Sequence, residues 1–72
     1  MRTFTDKQGH LWDVAIGKES YGTFLLIFSQ RDHREIRKMQ LSCSTPLDAA
    51  DELTSLTLDD LLTNLAASES WQ

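Results

Sequence analysis

Thr23-Phe24-Leu25-Leu26-Ile27-Phe28-Ser29 is the longest apolar stretch in the chain, and its reading decides the fold. Five consecutive apolar residues, two of them phenylalanine and one β-branched, follow Gly22 and run into a charged segment at 30–34. That length and punctuation read as a strand, far short of the roughly 20 residues a membrane-spanning helix needs. Alternation along a strand sends Phe24, Leu26 and Phe28 to one side and Leu25 and Ile27 to the other. Both sides are apolar. The second side is therefore expected to be covered by helices, by another chain or by a ligand.

Upstream, two further strands are expected. The polar 17–22 segment with its two glycines supplies a reversal, and before it Trp12, Val14 and Ile16 alternate with Leu11, Asp13 and Ala15 over 10–16. The Trp12 side is the expected core side. Asp6-Lys7-Gln8-Gly9 places Asp and Gly at the first and last positions of a type I turn, so 2–5 and 10–16 form a hairpin. Downstream, 30–34 reads as a charged loop and 35–43 as a fourth strand. Met39, Leu41 and Cys43 occupy one side of that strand, and Ile36, Lys38, Gln40 and Ser42 the other. Glu35 and Arg37 put charges on the apolar side, which predicts a frayed start.

Thr45-Pro46 then announces a helix, with Thr45 as cap and Pro46 at the first helical position, where its missing N–H costs nothing. Leu47, Ala50 and Leu53 give it an apolar side. Leu58, Leu61, Leu62 and Leu65 form a second stripe at i, i+3, i+4, i+7, lying well round from Leu53 and Leu56, so two helices over about 46–53 and 58–68 fit better than one. Thr57 with Asp60 three residues on is an acidic variant of the capping box, and Asp59 and Asp60 occupy the first turn, where the helix dipole favours anions. The expected fold is a single α+β domain: a three- or four-stranded antiparallel meander over about 2–43, with two short helices packed on one sheet face.

Size and charge limit what such a domain can do. A chain of 72 residues buries only about 60% of its unfolded surface, so supplementary burial is at a premium. Cys43 is the single cysteine, and with His10 and His33 the only histidines, neither an intrachain disulfide nor a close pair of zinc ligands is available. Cys43 falls on an apolar strand face with no adjoining base in sequence, which reads as a small hydrophobe and not a nucleophile. A non-enzymatic protein without cofactor or metal is expected. The lone cysteine and a polar start without an export signal imply a cytoplasmic setting and no membrane.

The net charge of −4 divides unequally: seven basic against five acidic residues over 1–44, or +2, and six acidic with no basic residue over 45–72, or −6. Arg31, Arg34, Arg37 and Lys38 cluster around one loop and strand and constitute a candidate polyanion surface, with sheet aromatics as stacking faces. Interleaved Asp32 and Glu35 and a pI of about 4.8 argue against it. Leu25 and Ile27, together with Trp71 near the C-terminus, constitute the other candidate, a surface for a protein partner or a second copy. The leading expectation is an interaction module forming a homodimer. The alternative is a regulatory binder of nucleic acid or of a nucleic-acid-associated protein.

Three stretches together resemble a family of small bacterial proteins without an assigned activity. They are Phe4-Thr5-Asp6-Lys7-Gln8-Gly9-His10-Leu11-Trp12-Asp13-Val14, which follows F-x-D-x-x-G-x-x-W-x-V; the Leu26-Ile27-Phe28 strand; and Leu56-Thr57-Leu58-Asp59-Asp60-Leu61, which follows L-[ST]-x-[DE]-[DE]-L. The stretch 46–53 is extra to that pattern. The resemblance implies a bacterial, cytoplasmic protein and no particular site.

Overall fold

The computed structural model describes residues 2–19, 22–31, 34–42 and 45–70. Five strands form one antiparallel sheet in sequence order: β1 (Arg2–Thr5), β2 (Leu11–Lys18), β3 (Phe24–Gln30), β4 (Ile36–Gln40) and β5 (Glu69–Ser70). Between β4 and β5 run α1 (Pro46–Ser55) and α2 (Leu58–Ala67). The α+β meander with two C-terminal helices is as the patterning predicts, with β3 at its centre. The fifth strand exceeds the three or four expected, because Glu69 and Ser70 return to pair with Lys38 and Arg37. β4 is shorter at both ends than the expected 35–43, and Cys43 lies outside the described residues.

The first hairpin shows how the F-x-D-x-x-G-x-x-W pattern works. Asp6 Oδ1 accepts from the backbone N–H groups of Gln8 (2.8 Å) and His10 (2.9 Å), and Oδ2 accepts from the Trp12 indole N–H (2.8 Å). Gly9 closes the turn by donating to the Asp6 carbonyl at φ +86°, a conformation L side chains rarely adopt. Phe4 pairs with Trp12 across the strands and meets Phe28 edge-on, 6.1 Å between centroids. Every specified position of the pattern thus has a structural task.

The core occupies the even-numbered face of β2 and β3. Phe4, Trp12, Val14, Leu26 and Phe28 pack with Leu53 of α1 and Leu61 of α2, and Ile16, Met39, Leu41, Leu56, Leu62 and Leu65 surround them. Burying side chains such as Phe28 and Leu26 contributes about 1.5–3 kcal/mol each. Two details of the helices differ from the sequence reading. α1 buries Ala49 and Leu53, while Leu47 is 70% exposed and Ala50 is exposed, so the helix turns inward a different side from the expected Leu47–Ala50–Leu53 one. Leu58 is 52% exposed, because it opens α2 beside the Thr57–Asp60 capping box and precedes the turn that reaches the core.

One row across the core face carries more than packing. The register aligns Arg2, Val14, Phe28, Arg37 and Ser70 across the five strands, so two arginines bracket the two buried apolar residues. The Arg2 guanidinium donates to the carbonyls of Leu53 and Leu56 at the end of α1. Arg37 donates from Nε to Ser68 Oγ (2.8 Å) and from Nη2 to the Ser68 carbonyl (2.5 Å) at the end of α2. Neither helix has a basic residue in its last turn, so the sheet supplies the cations that the negative ends of both dipoles favour. Arg37 does not fray β4, as its charge had suggested, but fastens a helix to it.

Candidate interaction surfaces

The opposite sheet face carries no helix among the described residues. Its rows follow from the register. Thr3, Asp13, Ser29 and Ile36 lie across one line, Ala15, Ile27, Lys38 and Glu69 across the next, and Gly17, Leu25 and Gln40 across a third. Ile27 and Ala15 are half-buried at the centre, and Ile36 is 42% exposed. Gly17 determines how Ile27 lies: a Cβ at residue 17 would come within 2.3 Å of Ile27 Cδ1 and 3.1 Å of Cγ1. The isoleucine therefore folds along the sheet over a position that only glycine leaves free, flattening the centre of this face.

Leu25 departs from the expectation that placed it on a partner surface. It is only 3% exposed, lying beside Gly17 and lining a small recess together with Glu19, Lys38, Gln40 and Ala67. Ile27 retains accessible surface. Trp71, the third residue assigned to that surface, lies outside the described residues, as do His33 and Cys43.

Polar groups of both signs ring the apolar centre. Asp13 accepts two hydrogen bonds from Arg31, each 3.0 Å, and one from the Thr3 hydroxyl at 2.7 Å. The Arg31 guanidinium, aided by Thr3, holds the Asp13 carboxyl below its ordinary value. The Trp12 indole N–H, followed by the backbone donors of His10 and Gln8, does the same for Asp6.

The four candidate polyanion contacts do not form one free basic patch. Arg31 is paired with Asp13. Arg37 lies on the helix face with one arm on Glu35 at 3.0 Å and the others on Ser68. Lys38 lies on the open face opposite Glu69, and Arg34 is exposed beyond the strand. Pairing and opposed directions leave little coherent positive surface for a phosphate backbone. Arg37's attachment to Ser68 went unread in the sequence. A signal for it exists in the absence of any base near the C-terminus of α2.

Among the described residues, no group of three or more His, Cys, Asp or Glu side chains could hold a metal ion, and no helix is long and apolar enough to cross a membrane. No protein-family model, curated protein or solved structure matches the chain.

Proposed function

We propose that the chain is a non-enzymatic interaction module that pairs with a second copy through its open sheet face. The observation that carries this reading is the anatomy of that face: an apolar centre at Ala15 and Ile27, continued by Ile36 at the start of β4, with Lys38 beside Ile27 and with Asp13, Arg31 and Glu69 around it. An apolar centre within a polar rim is the usual build of a protein interface, and a rim carrying both signs is self-complementary about a two-fold axis. The extents of the fold, 33 × 27 × 18 Å, give it a broad side comparable to the roughly 800 Å² that each partner of a standard interface buries. A second copy supplies the extra burial that a chain of 72 residues lacks. The setting that goes with this reading is the bacterial cytoplasm, to which the resemblance in the hairpin and capping patterns points.

Sedimentation equilibrium at micromolar concentration tests it. The expected result is twice the 8.2 kDa chain mass, with Ile27→Lys weakening association at least about tenfold while the fold persists. A single 8.2 kDa species in the unsubstituted protein overturns the self-association.

A further inference from the structure

A groove of about 510 Å³ lies between the first hairpin turn and α2, on the helix side of the molecule and apart from the open sheet face. Leu62, Leu65 and Ala66 line it from the helix, with more apolar than polar surface; Asp6 and Asp59 stand at its rim with Lys7.

The charged residues lining it are two acids, Asp6 and Asp59, and one base, Lys7. Residues 45–72 carry six acids and no base, so the helical wall offers no internal cation. Asp6 is held in place by three hydrogen bonds from its own hairpin and remains ionised below the ordinary carboxylate range. Leu58, more than half exposed, opens the same helix and extends the apolar surface beyond the groove. An apolar floor whose rim carries two carboxylates against one lysine complements aliphatic side chains flanked by cations.

We propose that this groove docks a short basic, leucine-containing segment of a partner protein, its aliphatic side chains on Leu62 and Ala66 and its cations at Asp6 and Asp59. The groove is distinct from the proposed self-association face, so either reading can fail alone. The test is amide-shift titration of the isotope-labelled chain with a peptide of Lys and Leu about twelve residues long, the length of three helical turns, beside a Lys-Ser peptide of equal charge. Saturable shifts over residues 6–8 and 59–66 are expected, with affinity reduced about tenfold by Ala66→Arg or Thr63→Arg, both on exposed positions of α2. Retained amide dispersion in those variants establishes that they are folded. Equal affinity for the Lys-Ser peptide reduces the effect to diffuse charge attraction and overturns the proposal. Shifts centred on Ile27, or concentration-dependent shifts at the groove without peptide, overturn it as well, the latter by assigning the groove to a second copy.

Discussion

Ile27 and Phe28 are adjacent in one strand, yet they belong to surfaces built on different terms. Phe28 stands in a row with an arginine on either side of its apolar pair, and each arginine holds the end of a helix. Ile27 stands in a row that runs out to Lys38 and Glu69, with no element over it among the described residues. On the helix face, charge sits at the margin and fastens a second layer; on the open face, opposite charges pair within the sheet and leave the centre accessible. Equal hydrophobicity along β3 therefore has unequal consequences, and the difference comes from what the neighbouring strands place beside it.

The largest expected effect tests that inequality directly. Phe28→Ala removes a fully buried ring and is expected to cost about 3–5 kcal/mol in urea unfolding, against about 1 kcal/mol for Ile27→Ala. Equal losses would abolish the distinction between the faces. Next, Arg37→Ala removes two hydrogen bonds to Ser68 and leaves the end of α2 without its cation, an expected loss of about 1–3 kcal/mol. Faster hydrogen exchange in α2 than in β2 checks that the loss lies at the helix end and is not spread through the sheet.

A smaller effect sharpens the account of the open face. Gly17→Ala is expected to cost about 1 kcal/mol by displacing Ile27, and much less in an Ile27→Ala background. Additive losses would show that the two positions do not interact. The smallest effect is the pH response. Asp6 and Asp13 both titrate below the ordinary 3.8 when folded, so each contributes stability that is present above the unfolded value and lost as pH falls through the folded one. Unfolding midpoints should decline below about pH 4, and Asp6→Asn or Asp13→Asn should each flatten the decline. Added salt should weaken the Asp13 contribution, which rests on Arg31, more than that of Asp6, which rests on neutral donors.

Much of this architecture is legible in the residues. The alternation in 10–16 and 23–29, the Asp6–Gly9 turn and the Thr57–Asp60 box each depend on local chemistry, and local chemistry is what a sequence displays. β5 is not legible, since two polar residues carry no period and their pairing depends on β4 lying alongside. The buried side of α1 misleads for a related reason: Leu47 draws attention by size, yet the side that the assembled fold buries holds Ala49 and Leu53. Of the expected partner surface, Ile27 retains accessible area as its position suggests, whereas Leu25 is buried. Such burial is a property of the assembled sheet.

The bracketing arginines also have a bearing on the order in which the chain assembles as it is made. β2, β3 and β4 each pair with the strand immediately before them, so the sheet can grow as residues emerge. Arg2, in contrast, awaits Leu53, 51 residues later, and Arg37 awaits Ser68, 31 residues later. Until those helix ends arrive, the two guanidiniums lack the helix-end carbonyls they later hold, on either side of Val14 and Phe28. Repulsion between them and the basic sheet of a neighbouring nascent chain would discourage premature association. The acidic helices end that protection when they close over the row.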